Sequence, residues 1–423
     1  MELPPRLRQE VRRVFGQELT AEAVVTRITQ DVREEGDAAV LRYNQDVDDS
    51  LALALAVPPQ EVKAAYQQVD AALVAALRYA AGRIRSFHES QIRHSLASFQ
   101  ANGLGQVVRP LRRVGIYVPG TRVVYPSSVL MTAIPARVAG VGEVVVVTPG
   151  GPDGLVSPLK LVACDIAGVH RVFQAGGAQA IAALAYGTET IPRVDKICGP
   201  GNSFVTLAKR KVYGAVGIDA LYGPSETVVV ADDAADPALC AADLLAQAEH
   251  DELATPILIT TSEALAQAVT SQVEDRLTSL PRADAARAAW EGQGGAVIVD
   301  TVAEALALAN DFAPEHLCLM VQDAPSWLPR VENAGVVLVG PYSVESVADY
   351  TAGPSHVMPT LGNARFASPL GVHDFLKATS VVSLERDAFT ELGPPAIAIA
   401  RAEGLEAHAQ AIAARLSSGE AAP

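Results

Sequence analysis

Short apolar runs alternate with helical stretches from about residue 112 to residue 340, and this alternation limits the possible folds more than any other feature. EVVVVT (143–148), ETVVVA (226–231) and LCLMV (317–321) are aliphatic, β-branched runs of strand length. Such runs predict buried strands, and the stretches between them carry apolar residues at helical spacing. Strands that alternate with helices form βαβ units, which build mostly parallel sheets. The runs are numerous enough for two sheets.

Helical periodicity dominates the two ends of the chain, before Gly103 and after about Gly371. We therefore predict an α/β fold with two Rossmann-like parallel-sheet domains, a helical N-terminal segment and a C-terminal helical arm. The Gly-, Pro- and Ser-rich stretch from Gly340 to about Pro369 has little periodicity, and long loops of this kind are usually functional. The predicted boundaries are 1–20 for the N-terminal segment, 21–113 plus 226–370 for the first α/β domain, 114–225 for the second and 371–423 for the arm.

Composition and charge exclude several classes of protein. The 423 residues are 49% hydrophobic and carry a formal net charge of −15, with no basic stripe, so we expect no nucleic-acid partner. No apolar run approaches the roughly 20 residues that span a bilayer, and MELPPRLRQEVRR carries no signal-peptide stretch, so we expect no membrane partner. The absence of a CxxC pair argues against thiolate zinc sites and disulfides and favours a cytoplasmic protein. The cysteines are Cys164, Cys198, Cys240 and Cys318.

LLAQAEHDE (244–252) ends a predicted helix with two polar residues. Gln247 and His250 are three residues apart, which on a helix places both side chains on one face. An amide oxygen and an imidazole nitrogen are suitable donors for a divalent metal ion. A solvated face at the end of a helix is the alternative, since no HExxH or other compact zinc motif is present. Spacing alone does not decide between the two.

Glu315 and His316 are adjacent in APEHL, just before a predicted strand. In an extended chain their side chains would point to opposite sides, but Pro314 predicts a turn in which both could face one cleft. A carboxylate and an imidazole could then serve two different proton transfers. The alternative is a loop carboxylate beside a histidine at a strand edge. Cys318 offers a thiol for aldehyde oxidation, although we expect it in the strand core.

Two further stretches bring a carboxylate near a histidine. VADYTAGPSHV contains Asp349 and His356, and AEGLEAH contains Glu403 and His408. Asp349 precedes a Gly-Pro turn, where an Asx-type cap is the simpler interpretation. Glu403 and His408 are five residues apart, about 140° around a regular helix, although Gly404 could interrupt that helix. Taken singly, neither pair identifies a site.

GPGN (199–202) follows a predicted strand and opens a predicted helix. Its glycines permit a tight turn, and Asn202 is a suitable N-cap. A helix N-terminus favours anions, so a phosphate or dinucleotide could bind there. No GxGxxG follows a strand, however, and these residues alone do not identify a nicotinamide cofactor.

Long motifs, in one order from about residue 112 to residue 408, make the chain resemble the histidinol dehydrogenase family. They include YPSSVLMTAIPARVAG, FQAGGAQAIAALAYGTETIP, VDKICGPGN, GPSETVVVAD, LLAQAEHD, NDFAPEHL, VADYTAGPSHVMPT and AEGLEAH. The resemblance implies an enzyme that oxidises L-histidinol to L-histidine in two steps with two NAD⁺, through an aldehyde, at the end of histidine biosynthesis. It also implies a homodimer with one Zn²⁺ per subunit.

Through the matching motifs, the resemblance implies roles for particular residues of the chain. The NAD contacts would lie in the 114–225 domain, the metal and catalytic residues in the discontinuous domain, and the arm would form the dimer. The proton acceptors would be Glu315 and His316. The zinc ligands would be Gln247, His250, Asp349 and, from the partner subunit, His408. The substrate contacts would be Ser225, Gln247, His250, His316, Asp349, Glu403 and His408, and the NAD contacts would be Tyr117, Gln179 and Asn202.

The chain departs locally from the family pattern. PGTR has Thr121 where the family usually has a glycine, GPSH has Ser355 where asparagine is common, and PGGPDG (149–154) looks like an insertion. None of these removes an implied ligand or catalytic residue. Two alternatives of other classes are a hydrolase that uses the same N/O ligands with a metal-bound hydroxide, and a two-lobed α/β solute receptor.

Overall fold

The computed structural model describes residues 5–120 and 124–417. Thr121, one of the departures from the family pattern, lies outside the described residues. The chain divides into two compact units, Met1–His94 with Pro110–Phe375 and Ser95–Arg109 with Leu376–Pro423.

The larger unit contains most of the helices and strands. Its helices are α1 (Pro5–Phe15), α2 (Ala21–Glu35), α3 (Asp37–Asp46), α4 (Pro59–Ala65), α5 (Ala71–Arg93), α6 (Pro126–Val138), α7 (Pro158–Ala167), α8 (Gly177–Tyr186), α9 (Ser203–Val212), α10 (Pro237–Ala248), α11 (Glu263–Leu277), α12 (Ala283–Gly292), α13 (Val302–Phe312), α14 (Ala324–Trp327) and α15 (Glu345–Val347). Its strands are β3 (Arg113–Tyr117), β4 (Glu143–Thr148), β5 (Arg171–Gln174), β6 (Lys196–Cys198), β7 (Gly217–Ile218), β8 (Glu226–Ala231), β9 (Thr255–Thr260), β10 (Gly295–Ile298), β11 (His316–Met320) and β12 (Val336–Val339). The smaller unit contains β1 (Phe99–Ala101), β2 (Leu104–Pro110), β13 (Leu376–Val382), α16 (Arg386–Ala402) and α17 (Glu406–Ser417).

The first parallel sheet of the larger unit has the strand order β5-β4-β3-β6-β7. Each neighbouring pair is parallel. β3 is the earliest of these strands in the chain and lies at the centre. The chain winds to one side through β4 and β5 and then to the other through β6 and β7. This winding is Rossmann-like, with a switch point between the carboxyl ends of β3 and β6, at Tyr117 and Cys198.

The second parallel sheet repeats this winding in the order β10-β9-β8-β11-β12. Its described pairs are also parallel. Side chains alternate between its two faces, so Val229 and Cys318 join one hydrophobic cluster while Val228 and Leu317 join another. Buried aliphatic side chains on both faces explain why these strands read as continuous apolar runs. The prediction of two Rossmann-like parallel sheets is confirmed.

The N-terminal helices α2 and α3 pack beside α8 and α9 of the first sheet. Val24, Val25, Ile28 and Val32 recur at helical spacing on α2 and lie in the same hydrophobic cluster as Ile181 of α8. The amphipathic pattern of this segment therefore reflects burial against the first sheet. The boundaries that divide the two α/β domains remain a prediction.

The smaller unit combines strands with two long helices. β1 pairs antiparallel with β2, and β13 lies on the other side of β2. The C-terminal arm is thus helical over most of its length but begins with a strand. LKATSVV is mostly exposed and lacks an apolar run, so the helical prediction for the arm missed β13.

Across the described residues, no helix is both long enough and apolar enough to cross a bilayer. Cys164, Cys198, Cys240 and Cys318 are all buried free thiols.

Candidate active site

A cleft of about 570 Å³ lies in the larger unit, between opposite edges of the two parallel sheets. The first sheet contributes its carboxyl edge, with Tyr117 at the end of β3 and Asn202 in the turn after β6. The second sheet contributes its amino edge, with Ser225 just before β8 and Glu315 and His316 at the start of β11. The volume lies within the ~300–1,000 Å³ typical of small-molecule sites.

Glu315 enters this cleft through the turn that joins α13 to β11. Ala313 closes α13 in the left-handed conformation, at φ 57°, and Pro314 then directs the chain into the strand. Glu315 is only 8% exposed, and its Oε2 accepts the main-chain N–H of Glu226 at 3.1 Å. Burial raises the pKa of Glu315 to about 8. The carboxyl group is therefore suited to exchange a proton near neutral pH.

His316 is 3% exposed and has one ring nitrogen directed to the cleft. Its Nδ1 lies 3.1 Å from the carbonyl oxygen of Glu226, which fixes the ring. Its Nε2 is buried without a hydrogen-bond partner and lies 3.6 Å from Asp349 Oδ1. Burial disfavours the charged ring, but the carboxylates of Glu345, Asp349 and Glu315 outweigh burial and raise the pKa of His316 to about 10.

Three predicted metal ligands line the same cleft. Gln247 is in the last turn of α10 and is 2% exposed. α10 ends at Ala248, so His250 lies just beyond the helix rather than one turn along it, yet both side chains line the cleft. Asp349 joins them from a single π-helical turn, Ala348–Ala352, a conformation that is frequent at functional sites.

The donor chemistry of these side chains fits a divalent cation of the zinc type. Burial alone would raise the pKa of Asp349, but His316, His356 and His250 together lower it, so the carboxylate is ionised and able to act as a ligand. In the described residues no group of three or more His, Cys, Asp or Glu side chains could hold a metal ion. Gln247, His250 and Asp349 include only two side chains of those types. Zn²⁺ is usually four-coordinate in proteins, so these three side chains would leave one position for a further donor.

The stretch VADYTAGPSHV contributes a further histidine to the cleft, His356, for which the sequence predicted no role. His356 Nδ1 lies 3.0 Å from the carbonyl oxygen of Asp349, and its Nε2 lies 3.2 Å from Ser128 Oγ. His356 therefore fixes the turn that carries Asp349. The neighbouring departure, Ser355, is buried and donates its hydroxyl hydrogen to the Met131 carbonyl oxygen at 3.0 Å. This serine thus has a defined structural contact.

Cys318 is part of the core and not a nucleophile. It is fully buried, its thiol donates to Glu345 Oε1 at 3.0 Å, and burial raises its pKa well above the usual range. The same Glu345 oxygen accepts the hydroxyl hydrogen of Thr227, the residue paired with His316 across the sheet. A buried carboxylate therefore lies directly behind His316, and no sequence signal indicated it.

The turn after β6 is held against the end of β3. A side chain at Gly199, where φ is 111°, would place its Cβ 2.1 Å from the carbonyl oxygen of Tyr117, so only glycine fits. The Asp219 carboxylate accepts the main-chain N–H of Gly199 at 2.7 Å, and the Lys209 amine donates to the carbonyl oxygen of Gly199 at 3.0 Å. Asn202 Oδ1 accepts the second and third N–H groups of α9 at 3.1 Å each, which confirms the predicted N-cap.

The third predicted NAD contact lies apart from the first two. Gln179 is 0% exposed, and its Nε2 donates to Asp48 Oδ2 at 2.8 Å and to Asn44 Oδ1 at 3.3 Å. It lines a smaller neighbouring cavity, whereas Tyr117 lines the main cleft and Asn202 lines both. Its Oε1 is buried without a partner.

Glu403 and His408 belong to the smaller unit, at the junction of α16 and α17. α16 ends at Ala402, Gly404 has a φ of 77°, and α17 begins at Glu406. The predicted interruption of the helix at Gly404 is therefore confirmed. Both side chains are exposed in the single chain.

Two doubly wound sheets with a buried carboxyl–imidazole pair at their shared cleft define an α/β enzyme. Known proteins narrow this class. A family model described as histidinol dehydrogenase matches residues 12–416. The chain is 51% identical over 411 residues to histidinol dehydrogenase from Moorella thermoacetica, covering 96% of this chain and 97% of that one. It is 50% identical over 417 residues to histidinol dehydrogenase from Deinococcus radiodurans, covering 98% and 95%.

A solved structure leads to the same family. The crystal structure of histidinol dehydrogenase from Elizabethkingia anophelis matches with a TM-score of 0.90 and 34% identity, covering 99% of this chain and 98% of that chain. The chain belongs to the histidinol dehydrogenase family. It is an oxidoreductase of histidine biosynthesis.

Proposed function

We propose that this enzyme oxidises L-histidinol to L-histidine through L-histidinal, with transfer of two hydrides to two NAD⁺. The observation that carries the proposal is the buried pair Glu315 and His316. The pair lines one cleft with Ser225, Gln247 and His250, and the Nε2 of His316 has no hydrogen-bond partner. An alcohol oxidation requires one proton acceptor, and oxidation of an aldehyde to an acid requires a hydrated carbon before the second hydride leaves. The pair provides two such groups.

We assign the zinc ligands to Gln247, His250 and Asp349, with His408 of the partner subunit as the fourth. The lowered pKa of Asp349 and the shared cleft of Gln247, His250 and Asp349 support the three in-chain ligands. When bound, Zn²⁺ would anchor the imidazole and amine of the substrate and neutralise Asp349, which lowers the pKa of His316 toward that of a neutral base.

His316 would accept the alcohol proton as the first hydride leaves for NAD⁺. Glu315 would take a proton from the water that adds to the aldehyde. After His316 has released the first proton to solvent, it would accept a proton from the hydrate anion as the second hydride leaves, which yields the carboxylate. Tyr117, Gln179 and Asn202 would contact NAD, and Ser225 and Glu403 would contact substrate along with the metal ligands. The glycine-lined turn at Gly199, held beside Tyr117, supports a ligand at this edge of the first sheet.

Absorbance at 340 nm after addition of histidinol and NAD⁺ tests this function. We expect two NADH for each histidine formed, loss of turnover after chelation, and recovery with Zn²⁺ or a similar divalent ion. Full turnover in a metal-free sample would reject the metal assignment alone. Absence of NADH formation from histidinol and NAD⁺ in the metal-loaded enzyme would reject the proposed reaction.

We also propose a cytoplasmic homodimer. β13, α16 and the junction between α16 and α17 leave several large apolar side chains exposed on the smaller unit, a surface suited to a second copy of the chain. These side chains are Val382, Leu392, Ile399 and Leu405. Four buried free thiols are compatible with a reducing compartment.

A further inference from the structure

Asp48 lines the cleft and has no role in the chemistry above. Its carboxyl Oδ2 accepts the Gln179 side-chain N–H at 2.8 Å, and the main-chain N–H of Gly176 also donates to this carboxyl group. A Cβ at Gly176 would lie 2.3 Å from Asp48 Oδ2, so the glycine leaves the space that the carboxyl group occupies. The carboxyl group is therefore held in one position.

No cation neutralises this group within residues 5–120 and 124–417. The charged neighbour that affects Asp48 is another acid, Asp49, and burial raises the pKa of Asp48 to about 7. A buried carboxyl group without a cation is costly unless further donors reach it. Hydroxyl groups of a ligand in the cleft would supply such donors.

A second cavity, of about 220 Å³, begins at Asp48. It shares Asp48, Gly177 and Asn202 with the main cleft, so a ligand that extends past Asp48 enters it. The rest of its wall is mainly apolar but also includes the charged residues Glu10, Arg13 and Asp46. Its volume is below the ~300–1,000 Å³ of sites for drug-sized molecules, which suits a single ring system. The apolar lining includes Val11, Val14, Phe15, Val24, Ile28 and Phe204.

Gln179 adds an unpaired hydrogen-bond acceptor to this cavity. Its Oε1 is fully buried, has no hydrogen-bond partner and belongs to a side chain that lines the cavity. An unpaired buried acceptor is costly, so a donor on the bound ring would be favoured there. An amino-substituted heterocycle such as adenine has both the flat apolar faces and the donor.

We infer that Asp48 binds the adenosine ribose of NAD through its hydroxyl groups, with the adenine ring in the second cavity, and that it excludes NADP. The inference rests on the proposed NAD dependence. A carboxylate that accepts the ribose 2′-hydroxyl is a general means of recognising NAD on doubly wound sheets. A 2′-phosphate would place negative charge against a buried carboxyl group, which disfavours NADP.

Calorimetric titration of the metal-loaded enzyme with NAD⁺ and NADP⁺ tests the inference through binding rather than turnover. For Asp48→Asn we expect the dissociation constant of NAD⁺ to rise about tenfold or more, because a hydrogen bond to a charged group is lost. We also expect the variant to prefer NAD⁺ over NADP⁺ less strongly than wild type does. Asp233→Asn is the control for the loss of one acidic charge. Asp233 is exposed and lies outside the lining of both cavities. Both affinities should be unchanged in this variant.

A change in the ligand repeats the test without relying on a folded variant. NAD⁺ that lacks the 2′-hydroxyl of the adenosine ribose should bind wild type more weakly than NAD⁺ and bind Asp48→Asn as weakly as NAD⁺ does. Equal binding of the two ligands to wild type would overturn the role of Asp48, as would an Asp48→Asn variant with unchanged affinity and preference. A wild-type enzyme that binds neither dinucleotide would overturn the proposed NAD dependence, and the role of Asp48 with it.

Discussion

Glu315 and His316 are neighbours in the chain but differ in their electrostatic surroundings. Burial is the main cause of the raised pKa of Glu315, which is about 8. His316 is buried too, but the carboxylates of Glu345, Asp349 and Glu315 outweigh burial and raise its pKa to about 10. Adjacent residues at one strand end can therefore exchange protons in different steps of one reaction.

Glu315→Gln should slow aldehyde oxidation by about 10²–10⁴-fold and slow alcohol oxidation far less, because only the hydrated aldehyde requires activated water. The ionised carboxyl group is the active form. Because the pKa of Glu315 is raised to about 8, the wild-type rate of aldehyde oxidation should increase as the pH rises through that value. Histidinal supplied with NAD⁺ measures this step, and Glu315→Gln should remove the pH dependence.

Glu332→Gln is the control for the loss of a carboxylate, since Glu332 is exposed and outside the cleft lining. It should retain both oxidation rates. Equal slowing of both steps in Glu315→Gln would reject the division of roles between Glu315 and His316.

Residue-scale predictions from the sequence succeed where the cause is local. The N-cap at Asn202 and the interruption at Gly404 depend on a few neighbouring residues. Glu345 and His356 act through contacts with residues far away in the chain, such as Thr227 and Ser128. No periodicity or spacing records such contacts, so their place in the site required the three-dimensional arrangement.

At the scale of elements, α5 contains a histidine that the core keeps neutral. His88 is fully buried, and its Nδ1 lies 2.9 Å from Gln91 Oε1, which also accepts the Val372 N–H. Its Nε2 has no partner. Burial lowers the pKa of His88, and the nearby His373 lowers it further, while Gln91 partly opposes them.

The stability of the fold should therefore decrease in acid. As the pH falls below the ordinary histidine pKa of about 6.5, the unfolded chain takes up a proton that folded His88 resists, so the free energy of unfolding decreases. His88→Gln keeps a polar side chain but cannot titrate. Its melting temperature should depend less on pH than that of wild type between pH values of about 5 and 7.

His94→Gln tests whether the effect belongs to the buried ring. His94 caps the same helix and is exposed. This variant should keep the wild-type pH dependence of the melting temperature. If His88→Gln also keeps the wild-type pH dependence of the melting temperature, His88 is not the source of that dependence.

At the scale of the whole molecule, the alternation of strands and helices predicted both sheets but not how they face each other. Ligands of doubly wound sheets usually bind at carboxyl edges, and the first sheet presents its carboxyl edge to the cleft with Tyr117 and Asn202. The second sheet presents its amino edge, because α10 returns Gln247 to that end and β11 begins there with His316. This relation depends on packing between sheets, which strand patterns do not record.

Mixed dimers should show which chain supplies the fourth ligand. His316→Ala and His408→Ala should each be inactive alone. When subunits exchange, the His408→Ala chain of a mixed dimer keeps its own His316 and receives an unchanged His408 of the partner subunit. That one cleft is complete and the other is not, so each mixed dimer should recover about half of the wild-type activity.

A mixture of His316→Ala with Asp349→Ala is the matched control, since both residues line the cleft of one chain. Neither cleft of that mixed dimer is complete, and no activity should return. Failure of the first mixture, with subunit exchange demonstrated, would place His408 in the site of its own chain.

The lining of the cleft extends along the chain from Asp48 to Thr360, and this has a consequence for synthesis on the ribosome. The strands of the first sheet are complete at Ile218, so that sheet can form while the nascent chain is still short of Glu315 and Asp349. Long-range contacts then have to close before Gln247, His250 and Asp349, the three proposed in-chain metal ligands, meet. On this assignment the capacity to bind a metal ion is acquired late, after most of the polypeptide has been translated.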